Sequence, residues 1–278
     1  MVRIITDSAA DFEPAEWKKL DVACVPLSVY FGDKEYLENQ NLTKNQFYQL
    51  LAGGVFPRTS QPSPEDFLQE LAKGQEDETV VVTLSSALSG AYHGACMAKE
   101  QAGNNRCWVV DSLNATGGQR MVVEEAVRLR DQGCGGGEIA QRLASFRQRV
   151  TLFACIDTLE YLYRGGRIAR SAYVLGSAAR LKPMIQVTPQ GRIANIAKTL
   201  GLERGMDSLA QKLERIPPDP AYPIYIMYTN APDNGERFAA RLKKKGFRVP
   251  KRHLIQVGAA IGSHIGPGGV GIVYIAAE

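Results

Sequence analysis

The sequence predicts a two-domain α/β protein whose first domain contains a mainly parallel β-sheet with helices on both faces. The chain has 278 residues, which corresponds to about two domains of ordinary size. Through residue 150, short apolar runs typical of buried strands alternate with helical patterns, and this alternation favours parallel strands joined by helices. From residue 150 the order of elements changes. We therefore predict one domain over residues 1–149 and a second over residues 150–278.

Local signals define the elements of the first domain in order. Thr43 and Ser63 are predicted N-caps, and Pro64 occupies the first helical position, where proline is preferred. Thr59 and Ser60 precede that helix in a loop that the neighbouring prolines are expected to stiffen. The predicted strands are 2–6, 22–31, 35–37, 79–84 and 106–110. The predicted helices are 14–20, 44–51, 64–73, 91–102, one that ends at residue 130, and 138–148.

The second domain is predicted from the same kinds of signal. Lys182 and Pro183 are expected to end a helix, and Gly191 is expected to lie in a turn. The glycine-rich stretch 262–269 is predicted to be a loop. The predicted strands are 151–156, 184–187, 224–228, 252–257 and 271–276. The predicted helices are 158–164, 169–181, 203–213 and 234–245.

Composition and charge exclude several classes of function. The apolar fraction is 45% and the charged fraction is 22%, as in globular proteins, and no apolar run approaches the roughly 20 residues of a membrane-spanning helix. The net charge of +4 is spread over interleaved acids and bases. The densest basic stretches, 164–182 and 243–245, lack the patterns of nucleic-acid-binding elements. We therefore expect neither a nucleic-acid partner nor stable membrane insertion. Because the first strand begins at residue 2, no secretory signal is expected and a cytoplasmic location is predicted.

Catalytic and metal-binding patterns are missing from the sequence. The five cysteines are scattered without a C-x-x-C pair, and we expect them to be reduced and mostly buried. The three histidines, His93, His253 and His264, have no His or Cys partner at metal-ligand spacing. A P-loop and a Gly-x-Ser-x-Gly nucleophile motif are both absent. We therefore predict no metal, no cofactor and no catalytic residue.

Short polar side chains follow three of the predicted strands and indicate a binding site. They lie in the segments 6–8, 85–89 and 111–112, and ligands of open α/β sheets bind at that edge. Ser89 and Gly90 precede a predicted helix whose free N–H groups and positive dipole end favour an anionic ligand. An ordinary N-cap is the alternative interpretation of Ser89.

His264 and three arginines are further candidates. The glycines around His264 would let the backbone approach a ligand closely, and the imidazole could donate to a carboxylate or a phosphate. A loop histidine bonded to the backbone is the alternative. Arg164, Arg167 and Arg170 flank a Gly-Gly turn, where they could contact a ligand or complement the end of a helix. Together these residues predict a binder of a small molecule with an acidic or acceptor-rich head, held by neutral hydroxyls.

The motifs also resemble those of the DegV family, in family order and over nearly the whole length. The matching segments are Ile5-Thr6-Asp7-Ser8-Ala9, Thr59-Ser60-Gln61-Pro62-Ser63, Ser85-Ser86-Ala87-Leu88-Ser89-Gly90-Ala91-Tyr92, Asp111-Ser112, Gly165-Gly166-Arg167-Ile168, Lys182-Pro183 and His264-Ile265-Gly266-Pro267-Gly268-Gly269. This resemblance implies an N-terminal three-layer α/β/α domain with a mainly parallel sheet and a C-terminal α/β domain with a mixed sheet. It also implies a long-chain fatty acid bound in a tunnel between the two domains.

The resemblance implies roles for individual residues as well. The ligand carboxylate would be held by Thr59, with Ser60 beside it, and by Ser89 with Gly90 at the start of a helix. His264 would lie near the head group. Family members of the fatty-acid-kinase system present the acyl chain to a separate ATP-dependent kinase subunit, which phosphorylates the carboxylate for phospholipid metabolism. This chain would then be a lipid-binding subunit with no ATP site of its own.

One departure from the family pattern concerns the kinase role. Family members often carry Lys-x-Arg-Thr or Lys-x-Arg-Gly, whereas this sequence reads Lys198-Thr199-Leu200-Gly201. Leu200 leaves fatty-acid binding intact but puts the kinase role in question, and Arg204, one helical turn on, is a candidate substitute. The candidates for contacting a partner or a phosphate are Arg167, Arg170 and Arg204. Two other functions stay open, a lipid-responsive adaptor that does not support phosphorylation and an independent acyl-phosphate enzyme that uses His264 as acid–base.

Overall fold

The computed structural model describes residues 2–74, 77–174 and 181–277. The strands are β1 Val2–Asp7, β2 Val22–Val25, β3 Ser28–Phe31, β4 Lys34–Leu37, β5 Arg58–Ser60, β6 Glu78–Thr83, β7 Cys107–Asp111, β8 Val150–Cys155, β9 Leu181–Val187, β10 Ile193–Leu200, β11 Tyr225–Tyr228, β12 Leu254–Gln256 and β13 Val270–Ile275. The helices are α1 Pro14–Leu20, α2 Lys44–Ala52, α3 Pro64–Ala72, α4 Ala91–Gln101, α5 Gly117–Asp131, α6 Gly136–Phe146, α7 Glu160–Arg164, α8 Arg170–Val174, α9 Leu202–Arg215, α10 Pro232–Lys244 and α11 Ala259–Ile265. None of these helices combines the length and the apolar character that crossing a bilayer requires.

The first sheet has the strand order β2-β1-β6-β7, and all of its neighbouring strands are parallel. Successive residues of a strand point to opposite faces. Ile4 therefore packs with Trp17 of α1 and Ile139 of α6 on one face, whereas Ile5 packs with Phe67 of α3 and Ala91 of α4 on the other. The predicted parallel sheet with helices on both faces is confirmed.

The second sheet has the order β10-β9-β8-β13-β11-β12 and is mixed, because β11 and β12 are parallel while the other neighbours are antiparallel. Phe153 and Ile272 face α9 and α10. Leu152 and Val273, on the opposite face, belong to the same hydrophobic cluster as residues of α5. The mixed sheet implied for the second half is confirmed, and its two faces have different neighbours. The boundary near residue 150 stays a prediction.

A small antiparallel sheet, β4-β3-β5, lies apart from the other two. The single strand predicted over 22–31 was wrong, because β2 and β3 belong to different sheets. Pro26 lies between them and has no N–H to donate, so one ladder does not continue through it. Thr59 and Ser60 were predicted in a loop, but they lie in β5 and pair with β3.

The predicted helix over 169–181 was also wrong in part. The described helix there is α8, residues 175–180 lie outside the described residues, and β9 already begins at Leu181. Pro183 lies inside β9, where it pairs with Lys198, so it does not mark the end of a helix. Strand β10 was not predicted, because this edge strand is mostly half-exposed and lacks a strong apolar pattern.

His264 was predicted in a loop, and this was wrong as well. The glycine-rich stretch overlaps α11, and His264 lies in the last turn of that helix. Gly262, inside α11, lets the helix pack closely against Phe47, because a Cβ at this position would collide with the ring. Glycine in this segment therefore serves helix packing as well as turn formation.

Candidate functional site

A cavity of about 430 Å³ lies where the carboxyl ends of the first sheet meet the second half of the chain. Residues before 150 line it from β5 and from the segments that follow β2, β6 and β7. Residues after 150 line it from α11, the turn after α7 and the start of β10. Five predicted site residues belong to this one lining, namely Thr59, Ser60, Ser89, Arg167 and His264.

Thr59 and His264 form the hydrogen bond at the polar end of the cavity. Thr59 Oγ1 lies 2.8 Å from His264 Nε2. Gly165, at the end of α7, makes room for the imidazole, because a Cβ on Gly165 would collide with His264 Nδ1. Three elements, β5, α7 and α11, therefore determine where the imidazole lies.

Burial keeps the imidazole of His264 neutral. Its Nδ1 atom is buried and has no hydrogen-bond partner among the described residues. Desolvation, with a smaller repulsion from Arg167, lowers the pKa of His264 from 6.5 to about 4. At neutral pH the ring therefore carries one N–H. When that N–H is on Nε2 it donates to Thr59, and the hydroxyl hydrogen of Thr59 is then available for a ligand.

Ser89 was predicted as the N-cap of a helix, but the residue in the N-cap position is the next one, Gly90. Helix α4 begins at Ala91, and its N-cap is Gly90, which has no side chain for capping. The Ser89 hydroxyl nevertheless accepts from the N–H of Ala91 at 3.2 Å. Gly90 is not part of the cavity lining. Its missing side chain leaves space for the amide of Gln61, and Gln61 does line the cavity. Ser89 therefore assists the helix start while facing the cavity.

Arg167 connects the two halves across the cavity. Its Nε donates to the carbonyl of Leu88 at 2.9 Å, and its Nη1 donates to the carbonyl of Gly165. Its guanidinium is half-buried, and desolvation lowers the pKa of Arg167 below its usual value. The side chain therefore ties the turn after α7 to the segment after β6.

An almost wholly apolar cavity of about 60 Å³ continues from the first one. The residues that line both cavities are Ala115, Ile193, Ile261 and Ile265. Leu152 and Met227 add to its lining from the face of the second sheet that lies opposite α9. The arrangement therefore suits a ligand with a polar head and a long apolar chain.

Arg170 and Arg204, which were also predicted as site residues, lie outside these cavities. Arg170 is exposed on α8, and Arg204 is exposed on α9. Helix α9 packs against the sheet face that contains Phe153, whereas the apolar cavity is lined from the opposite face by Leu152. The sheet therefore separates Arg204 from the cavity. Leu200, at the end of β10, is 53% exposed.

An open groove of about 880 Å³ adjoins the cavity and shares Leu88, Arg167 and Ile193 with it. Arg192 lies exposed in this groove, and no described residue of the groove lining is acidic. Arg192, Ile193 and Gln61 were not predicted as site residues. The predicted turn at Gly191 was the available signal for Arg192 and Ile193, because a tight turn after one strand indicates that a second strand follows.

Within residues 2–74, 77–174 and 181–277, no group of three His, Cys, Asp or Glu side chains could hold a metal ion. The five cysteines are free; Cys107 and Cys155 are buried and the other three are partly exposed. The polar side chains that line the main cavity carry hydroxyl, amide, imidazole and guanidinium groups.

Comparison with known sequences identifies one family. Residues 1–277 match the sequence profile of the family described as "Uncharacterised protein, DegV family". A DegV domain-containing protein of Clostridium perfringens is 30% identical, over 98% of this chain and 96% of its own length. Another, from Caldanaerobacter subterraneus subsp. tengcongensis, is 28% identical over 98% of both chains.

Two solved structures share the fold. One is described as "Fatty Acid Binding of a DegV family Protein from Thermus thermophilus"; it matches with a TM-score of 0.88 and 27% identity and covers 99% of both chains. The other, a fatty acid binding DegV family protein from Streptococcus agalactiae, has a TM-score of 0.86 and 26% identity and covers 100% of this chain and 99% of that one. The α/β fold implied by the motifs is therefore confirmed.

Proposed function

Because this chain belongs to the DegV family, we propose that it binds one long-chain fatty acid in a tunnel between its two halves. The observation that carries the proposal is a cavity lined by Thr59, Ser89 and His264 that continues into an almost wholly apolar extension. The related proteins of Thermus thermophilus and Streptococcus agalactiae, which share the fold, are described as fatty-acid-binding.

The carboxylate would be held by neutral donors. Thr59 can offer its hydroxyl hydrogen while its oxygen accepts from His264, and Ser89 can do so while its oxygen accepts from an N–H of α4. Each hydrogen bond to a charged group contributes about 1.5–3 kcal/mol. Ser60, exposed beside Thr59, adds a further hydroxyl to the cavity lining.

The acyl chain would fill the apolar part of the site and contribute most of the affinity. Each methylene removed from water contributes about 0.8 kcal/mol. The main cavity, about 430 Å³, already falls within the range of ligand sites. Ile193 and Ile261 form walls where the two cavities join, so they would contact the middle of the chain.

We further propose that the bound carboxylate is presented to a separate ATP-dependent kinase subunit, in the cytoplasm where ATP is available. The support is the open groove beside the mouth, where Arg167 and Arg192 offer positive charge to a phosphate or to an acidic surface. Arg170 lies exposed on the adjacent helix. Arg204 would contact only a partner that reaches the other side of the second sheet. Leu200 keeps the alternative of a lipid-responsive adaptor open.

Denaturing extraction of the purified protein, followed by mass spectrometry, tests the lipid-binding proposal. We expect about one fatty acid per chain, as one enclosed site requires. Ala115→Phe should abolish the bound lipid, because Ala115 lines both cavities and the ring would fill their junction. Ala169→Phe is the matched control, since Ala169 is exposed and lines only the groove. A wild-type protein that releases no lipid would refute the proposal.

The kinase proposal is tested separately, by mixing lipid-loaded protein with a fatty acid kinase subunit and ATP. We expect acyl phosphate from the wild type. If the wild type gives none while Leu200→Arg gives acyl phosphate, the adaptor alternative is supported and fatty-acid binding is unaffected.

A further inference from the structure

Two buried carboxylates bind the N-terminus of the helix that carries His264. The N–H of Gly258, the N-cap of α11, donates to Asp11 Oδ1 at 2.9 Å, and the N–H of Ala260 donates to Glu38 Oε1 at 3.0 Å. Each of these acids is only 1% exposed. They satisfy N–H groups that have no partner within the helix. His264 lies in the last turn of this same helix.

The second oxygen of each carboxylate is also occupied. The Thr116 hydroxyl donates to Asp11 Oδ2, and the Ser8 hydroxyl donates to Glu38 Oε2 at 2.6 Å. The Ser8 oxygen in turn accepts from the N–H of Leu27 at 3.0 Å. The pair therefore links the end of β1, the start of α5 and the first turn of α11 through fully bonded side chains.

The two carboxylates are close enough to repel each other. A Cβ on Gly258 would collide with an oxygen of both, so both lie against the same backbone position. Burial raises the pKa of Asp11 to about 6, and burial together with repulsion by Asp11 raises the pKa of Glu38 to about 7. The charged groups around the pair are Lys44, Glu13 and Asp7. Burying two like charges side by side disfavours folding, so a role beyond stability has to be considered.

We propose that Asp11 and Glu38 are positioning residues for the head-group site and act through α11 on His264. This inference rests on the proposed fatty-acid binding. Because α11 has only 7 residues, a displacement of its first turn is transmitted to its last turn. His264 Nε2 then leaves hydrogen-bond distance of Thr59, and both groups lose their orientation toward a carboxylate.

Glu38→Ala and Glu38→Gln separate positioning from general stability. The readouts are the affinity for palmitate labelled with ¹³C at its carboxyl carbon and the imidazole NMR signals of the three histidines. We expect E38A to weaken palmitate binding about tenfold or more and to shift the His264 signal, while those of His93 and His253 stay unchanged. We expect E38Q to restore both readouts to within about threefold, because an amide oxygen can accept from Ala260 and an amide nitrogen can donate to the neighbouring hydroxyl.

Leu242→Ala is the matched control for lost stability. Leu242 is buried on α10, against the face of the second sheet that lies away from the cavity, so its truncation destabilises the fold without contacting α11. The positioning role is overturned if E38A keeps the wild-type affinity and His264 signal, or if L242A changes them as strongly. If E38A does not fold, Gly258→Ala decides. Its methyl group would collide with both carboxylates while every charge is kept, and the φ of −75° suits alanine.

The two proposals fail in different ways. If neither the wild type nor any variant binds palmitate, fatty-acid binding fails, while the His264 signals of the protein alone still decide the positioning role. If the wild type binds palmitate and the His264 signal is the same in E38A and G258A, positioning alone fails.

Discussion

The two ends of helix α11 use polar groups in opposite ways. At its first turn, every carboxylate oxygen of Asp11 and Glu38 has a donor. At its last turn, His264 Nδ1 has no partner among the described residues, and the Thr59 hydroxyl can free its hydrogen. A buried polar group without a partner disfavours folding by about 1–3 kcal/mol. The satisfied first turn therefore fixes geometry. At the last turn Nδ1 lies against Gly165, so the group available to a ligand is the Thr59 hydroxyl.

The largest expected effect concerns Glu38, at the first turn of α11, and the pH dependence of the protein's unfolding free energy. Folded Glu38 binds its proton more tightly than unfolded Glu38, because its pKa is raised from 4.5 to about 7. Between these values the native state holds more protons than the unfolded state, so stability falls as pH rises. Asp7 and Asp11, with pKa values raised to about 6, act in the same direction. Glu38→Gln should shrink the difference in unfolding free energy between pH 5 and pH 7.5 by on the order of 2–3 kcal/mol.

Urea unfolding at the two pH values measures this difference. Glu16→Gln is the control, because hydrogen bonds from Arg120 and the Glu13 N–H lower the pKa of Glu16 despite its desolvation. Glu16 is therefore ionised at both pH values, and its replacement should reduce stability about equally at each. An E38Q protein with the wild-type pH dependence would show that the pair is not destabilised by its own charge.

The next effect concerns the ligand end. Gly165→Ala should displace the imidazole of His264, because the new methyl group collides with Nδ1 while the φ of −74° is acceptable for alanine. Overpacking of this kind typically destabilises the folded state by about 1–3 kcal/mol. Because the displaced imidazole would no longer orient Thr59, we expect palmitate binding to weaken. Gly166→Ala is the matched control. Gly166 has a φ of +73°, and no atom lies within 4 Å of the place its methyl group would take, so its replacement strains the backbone without moving His264. Equal affinities in the two variants would contradict the assigned role of His264.

The ligand end could be predicted from sequence better than the satisfied end. Ser89 follows a strand that local patterns define well, and Thr59 and His264 were found through their motifs. Asp11 and Glu38 escaped prediction because their partners Gly258 and Ala260 lie more than two hundred residues away in the chain, and no local pattern reports such contacts.

The parallel sheet was also easier to predict than the mixed one. The buried strand β6 has a continuous apolar run, Val80-Val81-Val82, which identifies it without knowledge of its neighbours. Strand β10 is an edge strand with little apolar pattern, and Pro183 inside β9 is typical of a helix end. Strand β10 and the position of Pro183 inside β9 can therefore be recognised only from the pairing of these two strands. The same pairing is needed to place Ile193 and Arg192 at the site.

The smallest effect is expected for Ser89→Ala, which tests whether the hydroxyl binds the ligand or only supports the fold. This substitution removes a hydroxyl that accepts from Ala91 at 3.2 Å and, in our proposal, donates to the fatty-acid carboxylate. We expect palmitate affinity to fall by about 1 kcal/mol or more, as for a lost hydrogen bond to a charged group. Ser63→Ala is the matched control, because Ser63 accepts from Asp66 at the same 3.2 Å at the start of α3 but does not line the cavity. Isothermal titration of both variants should show a loss only for S89A, since both lose a helix-start contact and only one loses a donor to the ligand. Equal losses would mean that Ser89 acts as a structural residue, like the carboxylates at the first turn of α11.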